Sequence, residues 1–161
     1  MSIFSHGEEF GTRLRARASS FASRGFAVTK VRCDEPDYSL SDPLPPEDAF
    51  IIALQLRDYP VHEYWEDGRN TQVTSLKAGD TTLYDCKRSP IFLVNNPFES
   101  IHFCFPRASL DQIADEANAA HIDELHYTPG VGTEDRTMRS LGQALLPAFE
   151  NPACASNFFV E

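Results

Sequence analysis

The sequence lacks most of the features that mark specialised protein classes. Apolar runs such as "FIIAL" are far shorter than the ~20 residues a membrane-crossing helix needs. No basic start followed by an apolar segment opens the chain, so no secretory leader is read there. A cytoplasmic setting with no membrane partner is expected. Cysteine is sparse, and Cys33, Cys86, Cys104 and Cys154 form no C-x-x-C pair, which excludes a zinc ribbon and a dithiol redox motif. Free thiols are expected, with Cys104 in "IHFCFP" a small core residue. There is no G-x-S-x-G, H-E-x-x-H, P-loop or G-x-G-x-x-G, and the "GVG" at 130–132 follows no strand. No catalytic residue, metal or cofactor is therefore assigned, and the chain is not expected to be an enzyme.

Basic charge is also scarce: 14 Lys/Arg stand against 24 Asp/Glu, for a net charge of −10. The imbalance is uneven. Residues 1–32 hold Arg13, Arg15, Arg17, Arg24, Lys30 and Arg32 against Glu8 and Glu9, so the acidic excess lies in the remainder. A surface that binds phosphates needs clustered Lys/Arg to displace counterions, and this body presents the opposite field.

What is present suits one globular domain of 161 residues, 42% hydrophobic and 24% charged. Phe10, Leu14, Ala18 and Phe21 share one helical face, which gives a helical or loose arm over residues 1–24. "FAVTKVRC" alternates as a strand, and the proline-rich "DEPDYSLSDPLPPED" is expected to be a loop. From 48 to 106, strand-length segments alternate with turn residues at Pro60, Asp67-Gly68, Gly79-Asp80, Pro90 and Pro97, the pattern of a β-meander closed as a sandwich or barrel. In "FIIALQLR" both faces are apolar near the start, which places this strand in the middle of a sheet. After Pro106 the period becomes helical. Ser109 is a candidate N-cap for one helix and Thr133 for a second, whose apolar face is Met138, Leu141, Leu145 and Phe149. Gly142 and Pro147 weaken that helix, so packing must hold it. "ENPACASNFFVE" reads as the opening of a third helix.

The fold class expected is mainly β with helices: a cupin-like or jelly-roll barrel over residues 25–106, then two or three α-helices over 107–161. Cupin barrels bind metal through His-x-His and a nearby carboxylate. "PVHEYWEDG" supplies only His62, Glu63 and Glu66, and "NPFESIHF" only His102. Hydrogen-bonded barrel histidines are the simpler reading. Trp65 and Tyr64 either pack a core or edge, or Trp65 belongs with some of Gln55, His62, Tyr84 and His102 to a small-molecule site in the barrel mouth. His62 and Trp65 lie on opposite faces of a regular strand, so both can line one cavity only across a bulge.

The segments "DAFIIALQLRDYPVHEYWEDGR", "LKAGDTTLYD", "PFESIHFCFPRASLDQIADEA" and "DELHYTPGVGTEDRTMRSLGQALLPAFENP", in this order, resemble the N-terminal half of bacterial transcription regulators of the AraC/XylS family. The resemblance implies a regulatory domain that binds a small-molecule effector through Gln55, His62, Trp65, Tyr84 and His102. It also implies a homodimer formed on the second helix, through Met138, Leu141, Gly142, Leu145, Leu146 and Phe149. DNA would be bound only by a helix-turn-helix half beyond residue 161. The alternatives are a cupin-type metalloenzyme, either isomerase or dioxygenase, and a purely structural dimerisation domain.

Overall fold

The computed structural model describes residues 16–23, 25–44 and 46–153. Phe10, Leu14, Cys154 and the third helix expected at the C-terminus lie outside the described residues. The architecture is mixed: antiparallel sheets carry two helices. The strands are β1 (Arg17–Ser23), β2 (Phe26–Cys33), β3 (Ser39–Leu40), β4 (Ala49–Gln55), β5 (Tyr59–His62) and β6 (Tyr64–Glu66). They continue as β7 (Arg69–Asn70), β8 (Thr74–Leu76), β9 (Asp80–Asp85), β10 (Ile91–Val94), β11 (Phe98–Pro106) and β12 (Thr133–Glu134). Helix α1 spans Arg107–Glu116 and α2 spans Arg136–Glu150.

A six-stranded sheet runs β1-β2-β11-β4-β9-β12, beside a four-stranded sheet β3-β10-β6-β7 and the pair β5-β8. The strand segments expected from sequence form, but they are not a meander. β11 enters between β2 and β4, and β4 pairs with β9. Turn residues fix where a strand ends and leave open which strand it meets. β4 is covered on both faces, which suits a central strand: Ile51 and Ala53 join one core cluster while Leu54 and Ile52 join another.

The first cluster is shared by all three sheets, with Val31, Ile51, Tyr64, Leu76, Tyr84 and Phe98 among its members. The second lies on the opposite face of the large sheet. There Val28, Leu54, Ile101 and Phe103 receive Leu145, Met138, Leu146 and Phe149 of α2.

Several local expectations are corrected. Residues 17–23 form an edge strand rather than a helical arm, with Phe21 opposite Val28 and the Ser20 and Thr29 hydroxyls 2.8 Å apart. Gly25, at φ +87°, turns the chain back into β2, whose free edge satisfies the backbone of this serine-containing segment. The proline-rich loop contributes β3, paired with β10. Ser109 does not cap α1, which starts directly after Pro106; its hydroxyl donates to the Gly25 carbonyl at 2.5 Å. Thr133 sits in β12, and Asp135 caps α2 by accepting from the Met138 N–H at 3.0 Å.

At the head of α1, Arg107 is buried, and its guanidinium lies 4.1 Å from the centre of the Phe50 ring. It pairs with Asp48 at 2.9 Å and the buried Asp85 at 3.2 Å, so the charge enters the protein already matched.

The proposed dimer seam is engaged within the chain itself. Met138, Leu145, Leu146 and Phe149 pack on the large sheet, Gly142 is buried, and Leu141 alone of the set is exposed, at 42%. A stripe that covers its own sheet is not free to form an interface. Gly142 is required by this contact, because a Cβ there would overlap Leu54 Cδ2. Although alanine gains about 1 kcal/mol as a helix former, overpacking costs about 1–3 kcal/mol. Gly142→Ala is therefore expected to lower the stability measured by urea unfolding, and a stabilised variant would contradict the close approach of α2.

Candidate functional site

The inner face of the large sheet is organised in cross-strand rows. His102 of β11 lies between Thr29 and Ala53, and Ala53 pairs in turn with Thr82. One row along, Ser100 is opposite Gln55; on the other side Cys104, Ile51 and Tyr84 align. Because side chains alternate across a strand, Gln55, Ser100, His102 and Tyr84 all project to the same face. His62 is added from β5, where the pairing with β8 is irregular between Tyr59 and His62. These residues line a cavity of about 50 Å³, together with Leu76, Phe92, Val94 and Phe98.

Of the residues expected at a small-molecule site, the structure brings Gln55, His62, Tyr84 and His102 together. Trp65 is not among them. It pairs with Ile91 and Asn70 on β6, whose inward positions are Tyr64 and Glu66, so alternation turns the indole the other way. Sequence reasoning missed Tyr59 and Ser100, which also line the cavity, and Thr82, which stands behind Tyr84. The i, i+2 spacing of Ser100 and His102 was the available signal for one of them.

Each imidazole is bound through Nε2 to a hydroxyl. His62 meets Tyr84 Oη at 2.9 Å, and His102 meets Ser100 Oγ at 2.9 Å. Thr82 Oγ1 donates to Tyr84 Oη at 3.0 Å. The His62 ring is caged by aromatics, stacked on Tyr64 at 5.3 Å and edge-on to Tyr59 at 5.8 Å. Burial pushes both His62 and His102 down to about 4, so both rings are neutral at physiological pH. Burial likewise raises Tyr84, which keeps its proton. The cavity lining holds no carboxylate, amine or guanidinium.

These side chains do not fit the divalent metal associated with cupin barrels. A resident divalent ion takes three protein ligands or more, commonly imidazoles with a carboxylate. Here the lining offers two imidazoles, and the Nε2 of each is engaged by a hydroxyl. The nearby carboxylates are committed elsewhere: Glu66 accepts from Tyr64 at 3.1 Å and Tyr127 at 2.7 Å, and Glu63 accepts from Asn70. Among the described residues, no three His, Cys, Asp or Glu side chains are grouped so as to share an ion.

No family model matches the chain, and no curated protein does. Solved structures are similar at low identity. A cupin 2 conserved barrel domain protein from Salinispora arenicola is 14% identical, with a TM-score of 0.44 over 64% of this chain and 86% of its own. KdgF from Halomonas sp. is 16% identical, with a TM-score of 0.43 over 57% and 81%. A putative ethanolamine utilization protein Q from Salmonella typhimurium is 13% identical, with a TM-score of 0.43 over 56% and 69%. The resemblance to AraC/XylS regulators is corrected: the similar structures named above include a cupin 2 conserved barrel domain protein, and none of the three is a regulator domain. The reading that depended on it, an effector-sensing regulatory domain serving a DNA-binding half, is withdrawn with it, and so is the separate expectation, drawn from missing catalytic motifs, that the chain is not an enzyme. Segment order misled because antiparallel sheets followed by two helices are an arrangement that unrelated functions share.

The buried imidazoles make stability depend on pH with a definite sign. Their native values lie below the ordinary 6.5, so the unfolded chain binds protons that the native chain refuses. Their contribution is intact above about 6.5 and is lost as pH falls toward about 4. The melting temperature is expected to drop across this interval, and less steeply in His62→Asn than in the parent. Equal slopes in thermal melts from pH 7 to 4.5 would contradict a neutral, buried His62.

Proposed function

We propose that the three sheets form a cupin-type barrel, and that the chain is a metal-independent enzyme moving a proton on a small uncharged carbonyl compound held in the cavity. The observation that carries this reading is the hydrogen-bond chain behind His62. Thr82 donates to Tyr84 Oη, so the Tyr84 proton is directed at His62 Nε2. That leaves the imidazole proton on Nδ1, which has no protein partner among the described residues. A neutral imidazole N–H in an apolar cavity is an electrophile: it donates to a carbonyl oxygen and stabilises the charge that develops there.

His102 supplies the second ring. With no carboxylate or amine in the lining, it is the group assigned to accept the proton α to the carbonyl, a role that requires a ring nitrogen to leave the partners His102 holds in this structure. The substrate C–H bond breaks as an imidazole N–H forms, and the electron pair moves to the oxygen held by His62. Returning that proton to another atom of the substrate completes an isomerisation. The absence of charge in the lining supports an uncharged substrate, since a buried ion without a partner is costly. Isomerase chemistry is preferred to dioxygenase chemistry because the donor set does not fit the metal that oxygen chemistry uses. A cytoplasmic setting belongs to the same proposal, supported by the buried free thiols of Cys33, Cys86 and Cys104.

The test is exchange of the α-protons of cyclopentanone in heavy water, followed by proton NMR. The protein is expected to accelerate exchange above buffer, His62→Phe to slow it by about 10²-fold, and a chelator to leave it unchanged. Exchange at the buffer rate, or exchange abolished by the chelator, would overturn the reading.

A further inference from the structure

Gln55 is a polar side chain of the cavity that neither the hydrogen-bond chain nor the proton transfer uses, and that makes no side-chain hydrogen bond among the described residues. It is 7% exposed, at the inward end of β4 and directly opposite Ser100 in the ladder. Its backbone carbonyl accepts from the Gly79 N–H at 2.7 Å, which fixes the strand end. Its carboxamide has no hydrogen-bond partner among the described residues, and it lines the cavity. The other polar side chains of the inner wall differ: Ser100 is tied to His102, Tyr84 to His62, and the Tyr59 hydroxyl to Leu93 O and Asn95 Oδ1, each at 3.0 Å.

The carboxamide nitrogen and oxygen are not among the enclosed unpaired side-chain atoms; both open onto the cavity, so a donor and an acceptor stand available to a molecule there.

We infer that Gln55 selects a ligand carrying a cis-amide group, as in a lactam or a small primary amide. This rests on the carbonyl reading of the site and narrows it. A carboxamide presents an N–H donor and a C=O acceptor side by side, and a cis-amide presents the same pair in reverse, so the two close a two-point contact. A carboxylate would supply acceptors only and would bring a charge into a lining without cations. A ketone can meet the Gln55 donor or the His62 Nδ1–H, but it leaves the Gln55 carbonyl unbonded. The flat walls formed by Tyr59, Phe92 and Phe98 suit a planar group. Size limits the ligand as well: at roughly 10–15 Å³ for each water-sized position, a cavity of about 50 Å³ admits only a very small molecule.

The experiment compares binding of 2-pyrrolidinone, a cis-amide, with cyclopentanone, the ketone of the same ring size. Binding is read by chemical-shift titration of the parent protein, Gln55→Leu and His62→Phe. The parent is expected to bind the lactam at least fivefold more tightly than the ketone. Gln55→Leu is expected to lose that preference while still binding the ketone, with a melting temperature equal to or above the parent's, because an unpaired amide has been removed. His62→Phe is expected to weaken both ligands. A lactam preference that survives in Gln55→Leu, or ketone binding equal to lactam binding in the parent, overturns the role of Gln55 and leaves the carbonyl reading standing. If neither ligand binds the parent, both fall.

Discussion

The structure depends on covering β4 from both sides. Its residues are apolar on each face, so the strand is stable only in the interior of a sheet with a layer above and a layer below. Pairing with β11 and β9 supplies the interior position. Helix α2 supplies one layer, and the smaller sheets supply the other. The approach of α2 is close enough that residue 142 must lack a side chain. Once β4 is fixed in this way, alternation decides which of its residues face α2 and which face the cavity. The outward Leu54 holds the helix, and the inward Gln55 reaches the site.

Charge is kept out of that inner space and matched outside it. Arg107 satisfies Asp48 and Asp85 at the head of α1, and Glu66 is satisfied by Tyr64 and Tyr127. What remains inside are neutral hydrogen-bonding groups set among aromatic rings. In such a place an imidazole is held neutral by desolvation, and the proposed tautomer follows from the Thr82–Tyr84–His62 hydrogen-bond chain. The site's chemistry follows from this combination. On the proposed reading, a neutral N–H in an uncharged lining acts on polar bonds of uncharged molecules, not on ions.

Much of this was legible in the sequence, for identifiable reasons. Strand positions followed from alternation and from Gly and Pro punctuation, and the central location of β4 followed from its two apolar faces. Gln55, His62, Tyr84 and His102 were grouped by residue type on barrel strands, together with Trp65, while alternation left the inner face undecided. Sheet order was not legible, because local signals say nothing of which strand β11 meets. The edge strand β1 was obscured by a chance helical spacing that included residues outside the described part, and only the free edge of β2 resolves it. Trp65 attracted attention as the single tryptophan, yet parity alone already opposed it to His62. The caps at Ser109 and Thr133 failed because tertiary bonds, to Gly25 and within β12, claimed those residues first.

The central claim is that His62 is a neutral imidazole with its proton on Nδ1, held there by Tyr84. Nitrogen-15 NMR of the histidine rings between pH 8 and 5 measures this directly. The account predicts a His62 pattern that does not titrate over this range, with Nε2 as the unprotonated nitrogen, and an altered tautomer balance in Tyr84→Phe. A His62 signal that titrates near its ordinary value of about 6.5, or a proton found on Nε2, would contradict it.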